Sequence, residues 1–78
     1  MRVTIDPQFG MGYLYLQDEI DSGGCAKSIE VQFDKNNPKV MPNLIIDLDK
    51  DGKVIGIEFF DALNQMPEEL INQAEKLK

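Results

Sequence analysis

The chain has 78 residues, fourteen acidic against eight basic side chains for a formal net charge of −6, one cysteine and no histidine. A single domain of this length buries only about 60% of the surface that its unfolded form exposes, so its stability is marginal. Cys25 alone allows no internal disulfide, the lack of histidine disfavours a zinc site, and association with another chain is the remaining route to extra stability.

The first stretch, "MRVTIDPQFG", has no apolar core of a signal peptide. With the free thiol, this predicts a cytoplasmic protein. Within it, "RVTI" alternates as a strand does, with Val3 and Ile5 on one face. "DPQFGMG" is a turn rich in Pro and Gly. "YLYLQ" is a second strand, with Leu14 and Leu16 on one face and Tyr13 and Tyr15 on the other. "DEIDSGGCA" is a loop, and its acids Asp18, Glu19 and Asp21 read as solvated. Cys25 lies here without a histidine or an expected helix N-terminus to lower its pKa, so it reads as an ordinary turn residue. "KSIEVQFD" is the cleanest strand, with Ile29, Val31 and Phe33 against Ser28, Glu30, Gln32 and Asp34. "DKNNPKVMP" is a longer loop. "NLIIDLD" and "KVIGIEFF" make a fourth and a fifth strand. "DALNQM" has no clear pattern. The tail "PEELINQAEKLK" carries Leu70, Ile71, Ala74 and Leu77 at helical spacing. Pro67 suits the first helical position. Glu68 and Glu69 suit the positive end of the helix dipole, and Lys76 and Lys78 the negative end.

These elements predict one α+β domain over residues 1–78. Its strands fall within residues 2–60 as an antiparallel meander of about five, and an amphipathic helix over about 67–77 packs on one face. Alternation assigns Val3, Ile5, Leu14, Leu16, Ile29, Val31, Ile46, Leu48 and Val54 to the covered face. The other face then carries Tyr13, Tyr15, Ile45, Ile55, Ile57 and Phe59. That set is too apolar to leave in water. Either "DKNNPKVMP" or "DALNQM" folds over it, or it is an interface, and its six residues are the interface candidates.

"IIDLDKDGKVIGIE" matches the letters of an EF-hand loop through Asp47, Asp49, Asp51, Gly52 and Glu58. An EF-hand needs a helix on each side. Pro38 and Pro42 precede the motif, and proline inside a helix costs about 3 kcal/mol or more. The segment that follows it is strand-like. A hairpin fits better: a type I turn over Asp49–Gly52, with Asp49 paired to Lys53. That register sets Leu48 opposite Val54, Ile46 opposite Gly56 and Leu44 opposite Glu58. Glu58 then points away from Asp47 and Asp49. A weaker cation site on Asp47, Asp49 and Asp51 remains as an alternative.

The basic residues Arg2, Lys27, Lys35, Lys39, Lys50, Lys53, Lys76 and Lys78 are scattered. Nucleic-acid binding uses clustered Lys and Arg, so it is disfavoured. No apolar run is long enough to span a membrane. No phosphate loop, cofactor motif or catalytic set is present, which predicts a protein that is not an enzyme and carries no cofactor. Tyr13 and Tyr15 on one face suit a recognition surface. The predicted function is protein interaction, as a homo-oligomer (a dimer in the simplest case) or with another protein.

Two blocks resemble the domain-of-unknown-function family 2283. "IDPQFGMGYLYL" resembles its opening "YDPEADALYIRL", and "IIDLDKDGKVIGIEFFDA" resembles "VIVDYDEDGKVVGIEILNA". In the second block Asp47, Asp49, Asp51, Gly52, Val54, Gly56, Ile57 and Glu58 sit where the family pattern puts them. In the first, Ile5 replaces a Tyr, and Gly10 and Gly12 replace Asp and Leu. "DKNNPKVMP" looks like an insertion, and the tail is longer than the family's ending. The resemblance implies a small, cytoplasmic, β-rich bacterial or archaeal protein without an assigned activity. Some members are encoded beside small toxin-like proteins, which implies an antitoxin-like binding role. The family has no established functional residues to carry over, and it sets its acidic turn between strands.

Overall fold

The computed structural model describes residues 1–17, 19–20, 23–33 and 42–77. Its elements are β1 (Arg2–Asp6), β2 (Met11–Tyr15), β3 (Lys27–Val31), β4 (Leu44–Leu48), β5 (Val54–Phe59), α1 (Ala62–Gln65), α2 (Glu68–Gln73) and β6 (Glu75–Lys76). All five expected strands are present, and the α+β class holds. No helix among the described residues is long and apolar enough to cross a membrane.

The connectivity differs from a meander. The sheet has six strands in the order β3-β4-β5-β2-β1-β6. β2 pairs with β5 rather than β3. The segment from Leu16 to Ala26 carries the chain past the positions of β5 and β4. β3 pairs at the far edge with β4 instead.

The sheet is also mixed, because β6 runs parallel to β1. The expected helix over 67–77 stops at Gln73. Ala74 is extended, with φ −69° and ψ 139°. The chain then lies along the open edge of β1, where Leu77 N–H donates to Ile5 O at 2.8 Å. An unpaired strand edge offers a row of backbone partners that helical periodicity does not register. Leu70, Ile71 and Ala74 still pack on the core. Leu77 leaves that stripe. Lys76 does serve the helix end, donating from Nζ to Ile71 O at 3.3 Å.

Side chains opposite each other in a ladder share a face. Val3 faces Leu14 and Ile5 faces Gly12. Leu14 faces Ile57 and Gly12 faces Phe59. This face is capped by α1 and α2. The core cluster is Val3, Ile5, Phe59, Ala62 and Met66, with Leu14, Leu44, Ile57, Leu70, Ile71 and Ala74 against it. "DALNQM" therefore belongs to the helix layer and does not cover the opposite face. Residues 34–41 of the other expected cover lie outside the described residues, as do Asp18 and Asp21.

α1 rests directly on Gly12. A Cβ at that position would stand 2.8 Å from Ala62 Cβ and 2.9 Å from Met66 Cε. Glycine lets helix and sheet approach this closely. Gly12→Ala is expected to destabilise the protein by about 1–3 kcal/mol through overpacking. A lowered urea midpoint with an unchanged slope is the expected result.

The uncovered sheet face as candidate functional site

The β4–β5 turn forms as its letters suggest. Asp49 N–H donates to Lys53 O at 2.9 Å, and Gly52 N–H donates to Asp49 O at 3.0 Å. Gly52 has φ +81°, the left-handed conformation that closes this type of loop. Asp49 Oδ1 accepts from the N–H groups of Asp51 and Lys53, each at 2.9 Å. Leu48 faces Val54 as expected.

The ladder then slips by one. Asp47 faces Gly56, Ile46 faces Ile57, Ile45 faces Glu58 and Leu44 faces Phe59, with a register shift between Asp47 and Leu48. Ile55 is the extra residue of a β-bulge. A one-residue shift exchanges the two faces of everything beyond it. Ile57 and Phe59 therefore join the helix-covered side, which corrects their assignment to the other face. Ile55 is 1% exposed and also offers no surface. Glu58 moves the opposite way and shares a face with Asp47, against the expectation that the two diverge. The cause is energetic. Burying a large apolar side chain contributes about 1.5–3 kcal/mol, whereas an unpaired carboxylate in the core is costly.

Of the six interface candidates, Tyr13, Tyr15 and Ile45 remain on the opposite face, which is uncovered among the described residues. They are joined by Arg2, Thr4 and Asp6 from β1, Met11 from β2, Asp47 from β4, Glu58 from β5, and Ser28 and Glu30 from β3. No described helix lies on this side.

A polar chain crosses it. Tyr13 lies diagonally over Gly56, where any Cβ would overlap its ring. Its hydroxyl donates to Asp47 Oδ2 at 2.6 Å. Ser28 Oγ donates to Asp47 Oδ1 at 2.7 Å. Cys25 Sγ stands 3.5 Å from Ser28 Oγ. Towards β1, the Tyr13 and Tyr15 rings are 4.6 Å apart, tilted by 54°. The Arg2 guanidinium sits 4.9 Å from the centroid of the Tyr15 ring and pairs with Glu75 at 3.3 Å.

Burial, the Asp47 hydrogen bond and the Asp47 charge push the Tyr13 phenol well above the usual tyrosine range. Burial first, and then the Asp47 charge, push the Glu58 carboxyl up. Thr4, Asp6, Met11, Tyr13, Tyr15, Glu58 and Leu77 are among the residues that line a shallow depression of about 270 Å³ on this face.

The three loop aspartates do not converge. Asp47 is held by Tyr13 and Ser28, Asp49 caps its own turn, and Asp51 is exposed. Among the described residues, no group of three or more His, Cys, Asp or Glu side chains is placed to share an ion.

Residues 2–62 match the family described as "Protein of unknown function (DUF2283)". The chain belongs to this family. No curated protein and no solved structure matches it. The DUF2283 match ends where α1 begins, so it takes in the five long strands and almost all of the uncovered face. α2 and β6 lie beyond it.

Sequence reasoning missed Glu58 as a central member of this face, along with Arg2, Thr4, Met11 and Ser28. The available signal was Gly56, because an isolated glycine in a strand pattern marks a bulge or a close approach. Tyr13→Phe removes a charge-assisted hydrogen bond from a half-buried carboxylate. It is expected to cost about 1–2 kcal/mol in chemical denaturation. Glu58→Gln is expected to raise the melting temperature at pH 7. In the folded chain, burial makes Glu58 harder to ionise. That penalty is absent below the ordinary carboxylate pKa and grows as pH rises through the raised value. The gain should therefore vanish when melting is followed at a pH below about 4.

Proposed function

We propose that the protein is a non-enzymatic interaction module that binds a basic protein partner through the uncovered sheet face. The carrying observation is the make-up of that face. It joins two adjacent tyrosines and Ile45 to the carboxylates of Asp6, Asp47, Glu58 and Glu30, on a chain of net charge −6. Its one described arginine, Arg2, is already engaged by Glu75 and Tyr15. Tyrosines on a rigid strand offer large contact area at low entropic cost, and complementary charge sets partner and association rate. A second copy would bring the same acids face to face, so a basic partner is favoured over self-association. An antitoxin-like role, in which an acidic protein holds a basic one, is of this kind. No observation favours the alternative of a cation site on Asp47, Asp49 and Asp51.

The test is a comparison of variants on the two sides of the sheet. Tyr15→Ala and Ile45→Glu on the uncovered face are expected to abolish retention of the partner from native extract. Leu63→Glu, at an exposed position on α1, is expected to leave it intact. Light scattering after size-exclusion chromatography reads self-association in the same samples. Loss of retention with Leu63→Glu alone, or a dimer broken by Ile45→Glu with no partner retained, overturns the proposal.

A further inference from the structure

The depression on the uncovered face has an uneven chemistry. Met11 and Leu77 supply apolar wall, Tyr13 and Tyr15 supply ring surface, and Glu58 supplies a carboxylate. Among the described residues, no basic side chain lines it. Glu58 stands between Tyr13 on β2 and Ile45 on β4, in the middle of the sheet. Among the described residues the one ion pair is Arg2–Glu75, so Glu58 has none. Asp6 is at the rim, with Oδ1 turned to the Gln8 N–H at 2.9 Å.

We propose that this depression receives one basic side chain of the partner, a lysine ammonium or an arginine guanidinium, paired with the Glu58 carboxylate. The assignment rests on the interaction-module reading and names the group recognised. Lysine and arginine carry an apolar stem with a charged head. Met11 and Leu77 match the stem, the tyrosine rings attract a cation, and the carboxylate fixes the head. The volume of about 270 Å³ takes one such side chain. The raised carboxyl of Glu58 agrees with this. Its causes are burial and the Asp47 charge, and an arriving cation offsets both. An apolar residue would strand the carboxylate, and an anion would meet Glu58 directly.

The probe is N-acetyl-lysine amide, with the arginine equivalent beside it and N-acetyl-norleucine amide as the chain without the charge. Titration is followed by backbone amide NMR. Saturable shifts confined to Thr4, Met11, Tyr13, Glu58 and their neighbours are expected for the two cations and absent for norleucine. Glu58→Gln should weaken binding about tenfold, with the spectrum unchanged outside the depression. An equal response to norleucine, shifts spread over the acidic surface, undiminished binding by Glu58→Gln, or no response overturns the proposal. If the cations fail while Ile45→Glu still abolishes partner retention, the interaction module stands and this inference falls. If the cations bind while variants of the uncovered face leave retention intact, the reverse holds.

Discussion

The extra residue in β5 organises the rest of the molecule. Between the pairs Leu48–Val54 and Asp47–Gly56, β4 advances by one residue and β5 by two. Without that slip, Glu58 would lie beneath the helices, and Ile57 and Phe59 would face solvent. With it, Phe59 enters the core beside Val3, Ile5, Ala62 and Met66, and Glu58 comes out beside Asp47. A sheet with one buried face specifies its register strongly, because each one-residue error inverts the whole pattern. Here the turn and the core demand registers that differ by one, and the bulge at Ile55 reconciles them.

The uncovered face inherits its chemistry from the same event. Gly56 comes to lie under Tyr13, and its missing side chain lets the ring cross β5 to Asp47. Asp47 in turn takes the Ser28 hydroxyl from β3. Three strands are tied together by one carboxylate with both oxygens satisfied. Among the described residues, Glu58, its neighbour on the same face, has no such partner. Two acids of one face thus have different standing: Asp47 is structural, and Glu58 is available. This difference, rather than the total acidity of the chain, points to where a basic partner would be held.

The family resemblance was legible in the letters of the second block and of the Asp-Pro opening, and the DUF2283 match extends it to residues 2–62. The strands were legible because alternation is local. The hairpin at Asp49–Lys53 was legible because its turn chemistry is carried by four adjacent residues. The strand order was not, since the pairing of β2 with β5 joins residues that lie more than forty positions apart. The end of α2 was not, since Leu77 sits at helical spacing but the free edge of β1 draws the chain out of the helix. Three of the six interface candidates failed for one reason, the bulge at Ile55, which buried Ile55 itself and moved Ile57 and Phe59 inward and Glu58 outward.

By itself the sequence determined the α+β class, the five long strands and the acidic turn. Each follows from periodicity, propensity or composition, which act over a few residues. Only the tertiary structure decided which face of β5 meets the helices, that the last residues close the β1 edge, and that Glu58 stands beside two tyrosines in an open depression. Those outcomes depend on burying the largest apolar surface across strands distant in the chain, a requirement that local letters do not contain.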